Sequence, residues 1–355
     1  MSVGGKMRSS FNRDDVNLLL KDITGMVEPM GTIEREKEIQ GGRHYCEMLP
    51  IEYKPSEKYV EIYEHALHVF AQSTADAVAR VSEMIYKEKS GKVVLVSLVR
   101  AGTPVGILIK RYLEAKYKIK IPHYSISIIR GKGIDQNAMD YIIAEHGSSN
   151  IQFVDGWVGK GAIFQQLKEA LNNYPKVNSS IAVLADPAML TPLAGTHEDI
   201  LIPSSCLNST VSGLISRSFL REDIIRGTDF HGAVYYKELL KEDRTYEFIN
   251  EIERRFQYNL ENQDVLINGS GVAEVYKIQE AFGIDDINLI KPGIGETTRV
   301  LLRRVPWKIL ISKEYLNCVE TQHILQLAKE KNVMVEMFDM KHYKCCGLIR
   351  KMADA

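Results

Sequence analysis

The chain has 355 residues, of which 45 are Lys or Arg and 46 are Asp or Glu, for a formal net charge of −1. That balance excludes polyanion binding by the molecule as a whole and leaves only local basic patches for such a role. Hydrophobic residues at 45% and charged residues at 26% are ordinary globular values, so a sizeable core can form, and the length suggests two domains or one with an appendage.

The five cysteines, Cys46, Cys206, Cys318, Cys345 and Cys346, form no CxxC pair. Their odd number and spacing fit reduced thiols better than a disulfide framework. The N-terminus lacks the apolar core of a signal peptide, and there is no run of about 18 apolar residues. The expectation is a soluble, cytoplasmic protein.

Residues 1–45 are polar and glycine-spotted, and read as partly irregular. From Val60 to Ile85 apolar residues recur at helical spacing, which predicts one amphipathic helix or two. Then "KVVLVSL" (92–98) is a β-branched run suited to a strand buried on both faces. Strands are predicted at 121–129, 150–155, 179–186 and 199–203, alternating with helices over 104–116, 135–145, 163–171 and 209–219. This alternation is that of an α/β fold with a parallel sheet covered by helices on both faces.

Residues 236–262 are highly charged at helical spacing and read as a solvated linker. A second α/β unit of about 90 residues follows, with strands at 264–270, 287–293, 307–312 and 333–338 and helices at 272–282, 297–304 and 320–331. The divisions are therefore 1–235, 236–262 and 263–350. The segment "HYKCCG" (342–347) shows no trustworthy metal-ligand spacing and is given no role.

In an open α/β sheet, ligands bind beyond the carboxyl ends of the strands. The segments that follow these strands are polar or glycine-rich. Arg100 with the backbone of Ala101, Gly102 and Thr103 can hold an anion, or can be good turn chemistry alone, with Thr103 capping a helix and Pro104 opening it. Arg130 and Lys132 beside two glycines read equally as a solvated basic loop or an anion contact. In "VDGWVGKGAI", Gly156, Gly159 and Gly161 can turn N–H groups into one concavity around Trp157 and Val158, with Lys160 as a point charge. Asp155 before them can hold a ribose hydroxyl or a hydrated Mg²⁺. Neither GxxxxGK[ST] nor GxGxxG is present.

Ser204, Ser205 and Cys206 stand at a strand-to-helix turn. They can be capping residues, or Cys206 can be a nucleophile with His197 or His231 as its base. His231 itself reads more simply as a core histidine. In the second unit, Arg299 and Arg303 lie four apart on one helical face behind a glycine-rich turn. A helix N-terminus with arginine suits an RNA backbone, the alternative being an ordinary solvated helix.

Together these segments resemble a known family. "VVLVSLVRAGTPVG" is similar to the pyrophosphate loop of type I phosphoribosyltransferases, and "IQFVDGWVGKGAI" stands where their phosphoribosyl-pyrophosphate loop stands. The resemblance covers roughly residues 30–235. With "GGRHYCEMLP" and "DFHGAVYY", it is nearest to a divergent bacterial group associated with tellurium-resistance-type stress genes, which also carries a cysteine protease name, StiP.

Residues from about 262 to 350 resemble the pelota-type RNA-binding domain. Its G-x-[NG]-E-x-x-[KR] turn reads here Gly293-Ile294-Gly295-Glu296-Thr297-Thr298-Arg299. The resemblance implies a phosphoribosyltransferase-like enzyme with Mg²⁺ and an RNA-binding tail. Arg100 and residues 101–103 would hold pyrophosphate. Asp155 would hold ribose or metal, and residues 156–161 with Lys160 the 5′-phosphate, while Arg130, Lys132, Ser204 and Ser205 would line the cleft. Gly295, Glu296, Thr297, Thr298, Arg299 and Arg303 would meet RNA. Where the family has two adjacent acids, this chain has Asp155 followed by Gly156, so the ligand implied is phosphoribosyl pyrophosphate (PRPP) or a related phosphoribosyl compound. A thiol enzyme using Cys206 and a nucleotide-sensing RNA-binding protein are the alternatives. The sequence leaves room for a homo-oligomer.

Overall fold

In the computed structural model, which describes residues 7–260 and 269–350, the apolar runs assemble into a six-stranded parallel sheet. Its strands are β1 (Asn17–Leu18), β2 (Val94–Leu98), β3 (His123–Ile126), β4 (Ile151–Val154), β5 (Ile181–Ala185) and β6 (Ala194–Thr196), in the order β1-β3-β2-β4-β5-β6. Leu95 of β2 pairs with His123 on one side and Gln152 on the other. Every residue of β2, β4 and β5 is buried. Helices cover both faces, which is why these strands read as continuous apolar runs rather than alternating ones.

The helices of this unit are α1 (Thr32–Gln40), α2 (Glu57–Glu88), α3 (Gly102–Tyr117), α4 (Gln136–His146), α5 (Ala162–Ala170) and α6 (Thr245–Glu253). Because no Gly or Pro interrupts its interior, α2 is one helix of 32 residues that buries Tyr63, Phe70, Val78, Val81 and Ile85. The segment read as a solvated linker is otherwise: Phe248, Ile249 and Ile252 of α6 are fully buried and join the core that α2 and α3 share. Its surface charges masked an apolar stripe.

The second unit contains α7 (Gly271–Phe282), β7 (Ile290–Pro292), α8 (Ile294–Arg303), β8 (Pro306–Ile311), α9 (Gln322–Glu330), β9 (Met334–Met337) and β10 (Cys345–Ile349). Its sheet runs β7-β10-β8-β9, with β10 antiparallel to both neighbours. The "CCGLI" stretch, which overlaps the segment assigned no role, is thus a central strand, and Cys345 and Cys346 are packing residues. The strand expected at 264–270 falls largely outside the described residues. Among the described residues, no helix is long and apolar enough to cross a membrane.

Two further expectations fail. Residues 199–202 form no strand, and 209–219 hold only a short 3₁₀ turn, Ser209–Val211. In the second stretch Ser, Thr and Gly dominate. Their side chains bond nearby backbone, as Ser212 Oγ does to the Asn208 carbonyl at 2.7 Å, in competition with regular ladders.

Candidate functional site

The chain leaves β2 at Arg100, as the α/β pattern requires. Its Nη1 donates to the Ile215 carbonyl at 3.0 Å and lies 3.7 Å from Glu52 Oε1. Two residues beyond Ile215 is Arg217, whose guanidinium lies 6.0 Å from the centre of the Tyr45 ring. Among the described residues its guanidinium has neither a hydrogen bond nor an ion pair. Burial first, then Arg35 and Arg100, push its pKa down to about 10, with Tyr45 and Glu52 opposing. The Tyr45 hydroxyl in turn accepts the Arg130 N–H at 2.9 Å. The Arg130 backbone and the Arg217 guanidinium thus meet at Tyr45, and Arg100 lies near Arg217, at the carboxyl edge of the sheet. The sequence reading missed Arg217 and Arg35, because Arg217 falls within the stretch expected as a helix, away from the strand ends, and Arg35 lies on a separate helix. Only their common position reveals them.

The expected anion-binding start of α3 is built for packing. A Cβ on Gly102 would come within 2.5 Å of the Val154 carbonyl oxygen. Thr103 does not cap the helix; its Oγ1 bonds Ser125 Oγ at 2.7 Å across the sheet. The N-cap is Ala101, with no side-chain hydrogen bond, and Pro104 is the third helical residue rather than the first.

Several groups of the glycine-rich loop after β4 are engaged. Gly156 N–H donates to Asp155 Oδ1 at 2.8 Å, and Val158 N–H to the Ala185 carbonyl at 2.9 Å. The Gly159 carbonyl accepts the Tyr343 hydroxyl at 2.7 Å. Lys160 Nζ donates to the carbonyls of Ile287 and Ile290, both in the second unit. Gly161 has φ +86° and starts α5, a conformation that favours glycine. Burial pushes Asp155 up to about 7, against the Gly156 N–H and Arg299, with Glu296 adding to the rise. Burial, then Lys291, pushes Lys160 down to about 8.

Arg130 and Lys132 are exposed, and Arg130 Nη1 reaches Asn288 Oδ1 of the second unit at 3.0 Å. Ser204, Ser205 and Cys206 form a buried 3₁₀ turn, Pro203–Cys206. The Ser205 hydroxyl is orphaned. Cys206, the alternative nucleophile, is fully buried in the main apolar core. Its candidate bases are directed elsewhere: His197 Nδ1 bonds the Asp186 carbonyl at 2.9 Å and His231 Nδ1 bonds Ser127 Oγ at 2.8 Å. A thiol–imidazole pair exists at another place. Cys46 Sγ lies 2.9 Å from His44 Nδ1, and His44 Nε2 lies 3.1 Å from the Arg130 carbonyl oxygen.

The RNA-type turn of the second unit faces this sheet edge directly. Gly293, at φ +91°, opens α8, and the Ile294 N–H donates to Asp199 Oδ1 at 2.9 Å. Lys344 N–H donates to the other oxygen of the same carboxylate at 2.9 Å. Arg299 pairs with Glu296 at 3.0 Å and lies 5.1 Å from the centre of the Trp157 ring. Burial opposes the ionisation of Glu296, but Arg299 and Lys291 together hold it below the usual carboxyl range. Thr297 and Thr298 are fully buried, the latter bonded to His323 Nε2 at 2.8 Å. Arg303 lies in the last turn of α8. Between the two units a small cavity is lined by Trp157, Asp199, Ser205, Gly293, Gly295 and Glu296. Two candidate sites read separately from the sequence are therefore opposite walls of one interface.

Residues 9–253 match the family described as "Tellurite-like stress resistance cysteine protease StiP", and residues 269–351 match the PELOTA RNA binding domain. A protein named "Cysteine protease StiP" from Acinetobacter baylyi is 35% identical over an alignment covering 97% of this chain and 94% of that protein. Among solved structures, a hypoxanthine-guanine phosphoribosyltransferase from Bacillus anthracis is 14% identical. It aligns over 36% of this chain and 77% of its own, with a TM-score of 0.26. A Leishmania tarentolae enzyme of that type, in complex with GMP, is 13% identical over 37% and 78%, also at 0.26. At that level the structural likenesses carry no argument about chemistry.

Proposed function

The chain belongs to the StiP family of tellurite-like stress resistance proteins and carries a PELOTA domain behind it, and from that premise we propose an enzyme that binds a diphosphate-bearing ribosyl ligand at the Arg100 edge of the sheet and RNA through its second unit. The observation that carries this reading is Arg217. A partly buried guanidinium with no acid bonded to it among the described residues, beside two further arginines and with Glu52 the acid acting on it, is costly unless an anion offsets it. Diphosphate suits forked guanidinium donors, which bind phosphate oxygens in a bidentate manner.

The reaction is of phosphoribosyl transfer type, with PRPP or a close relative as donor. Arg100 and Arg217 bind the leaving diphosphate and stabilise charge as it develops, a role that needs positioning and little covalent chemistry. Asp155 holds the ribose side. One carboxylate with ligand phosphate oxygens is an ordinary donor set for Mg²⁺, so Asp155 fits it, and the ion would supply charge neutralisation when bound. Lys160 and residues 156–161 are engaged with the second unit and meet a 5′-phosphate only when that unit moves away. The test is calorimetry with PRPP and with pyrophosphate, each with Mg²⁺, on wild type, Arg100→Gln and Arg217→Gln. Binding weakened by both substitutions is expected; absence of binding by wild type at millimolar ligand would end this reading.

A second reading, thiol chemistry, is favoured by one specific observation together with the family's name. Cys46 with His44 has the nucleophile–base–orienter order that Cys206 lacks. Burial first, then Glu47, push the Cys46 thiol up to about 11, so in this arrangement it donates to His44 as a neutral thiol. Peptide hydrolysis lost in Cys46→Ala and kept in Cys206→Ala would support it. The reverse result, or no hydrolysis by wild type, would remove it.

A further inference from the structure

The N-terminus of α8 already holds an anion, and that anion belongs to the protein. The Asp199 carboxylate accepts the Ile294 N–H through Oδ1 and the Lys344 N–H through Oδ2. Backbone N–H groups at a helix start, with the positive end of the dipole, are what a phosphate group finds favourable. A carboxylate with two bonded oxygens is a geometric substitute for one edge of a phosphate. Beside it, the Ser205 hydroxyl is 1% exposed, lines the same cavity and has no partner. A buried hydroxyl without a bond is a group that a ligand's polar atom could satisfy.

The other elements of the turn are also taken up by the sheet unit. Arg299 lies over Trp157, 5.1 Å from the ring centre, and pairs with Glu296, so its guanidinium is engaged within the docked arrangement. Lys160 and Tyr343 tie the two units together on one flank, and Tyr59 donates to the Leu302 carbonyl on the other. In this arrangement the Ile294 N–H is taken by Asp199, and Thr297 and Thr298 are fully buried.

We propose that Asp199 and Trp157 of the sheet unit occupy the RNA-binding face of the second unit as a phosphate and base surrogate, so that RNA binding and the docked arrangement exclude each other. The proposal rests on the RNA-binding reading of the second unit and adds the lock to it. RNA binding then separates the units and frees Lys160 from the carbonyls of Ile287 and Ile290. It also uncovers residues 156–161 on the sheet edge. The RNA becomes a signal that opens the ribosyl side of the front site. The partner is an RNA with a distorted or looped backbone, since the recess at α8 presents N–H groups and one arginine rather than a long basic track.

Gly295 and Ser205 provide the test. A Cβ placed on Gly295 falls 3.5 Å from Ser205 Cβ, within the range that a disulfide spans. The full chain carrying Ser205→Cys and Gly295→Cys is oxidised, and binding of a fluorescein-labelled internal-loop hairpin RNA is measured by anisotropy before and after reduction. The expected result is binding at least tenfold weaker in the oxidised form, restored by reduction, with Asp199→Asn and Trp157→Ala binding several-fold tighter than wild type. Arg299→Ala should abolish binding.

Equal affinity of the oxidised and reduced forms would overturn the lock while leaving RNA binding intact. So would failure of the cross-link to form, because it contradicts docking. No binding by wild type, reduced double variant, Asp199→Asn or Trp157→Ala would overturn the RNA reading itself, a result distinct from the first.

Discussion

At the Arg100 end of the sheet edge, Arg217 faces two other arginines and has no acid bonded to it among the described residues. At the Asp155 end, Lys160 donates to two carbonyls and Gly159 accepts from Tyr343. Both ends hold glycines and cations in similar sequence contexts. They differ in whether folding alone satisfies them. The glycine-rich loop looks the more like a phosphate nest, yet its lysine and the Gly159 carbonyl are committed to the second unit. The Arg100 side looks the plainer, yet it retains unspent positive charge. Unpaired charge, rather than glycine content, locates a ligand.

The largest effect is expected at the unpaired end. Arg100→Gln and Arg217→Gln each remove a charge-assisted contact worth about 1.5–3 kcal/mol, so pyrophosphate affinity should fall roughly 10- to 100-fold by calorimetry. Arg217→Met, which also removes the unpaired buried charge, should raise the melting temperature of the ligand-free protein, as scanning calorimetry would show. A lower melting temperature would mean that Arg217 is already compensated and that the comparison is wrong.

At the committed end the expectation reverses. Lys160→Ala should leave pyrophosphate affinity unchanged and lower thermal stability by about 1–3 kcal/mol, because two buried carbonyls lose their donor. A large loss of pyrophosphate affinity would place the anion at the loop after all.

A smaller, pH-dependent effect sharpens the same contrast. The folded pKa of Asp155, about 7, lies above its unfolded value, so the folded protein binds that proton more tightly. Its contribution is therefore most favourable at low pH and is lost as pH rises through about 7. Histidines with depressed values, such as His123, work in the opposite direction, so the comparison with a variant is needed. Asp155→Asn should gain stability relative to wild type between about pH 5 and 8, measured as paired thermal melts. A constant difference across that range would show that the carboxyl is not held up by burial.

The smallest signal is alkylation at pH 8. Cys318 is only partly buried, whereas Cys46 and Cys206 are buried. Iodoacetamide should label Cys318 first, read by mass spectrometry of the peptides. Early labelling of Cys46 would strengthen the thiol reading at the expense of the ribosyl one.

The sequence by itself determined the α/β class, the run of buried strands and the polar carboxyl ends that mark one sheet edge. Periodicity and β-branched composition are local properties, legible in a window of a few residues. Its errors came from neighbourhoods that local chemistry does not describe. The charges of α6 concealed Phe248, Ile249 and Ile252. The short "CCGLI" run gave no hint that it is a central strand. The small residues "AGT" of β6 gave no apolar signal.

Only the tertiary structure decided which site residues act together. It brought Arg217 to Arg100 from more than a hundred positions away, buried Cys206, and set Asp199 and Trp157 against Gly293–Arg299. Burial and charge compensation are properties of the packed neighbourhood, and no spacing along the chain encodes which acid reaches which base.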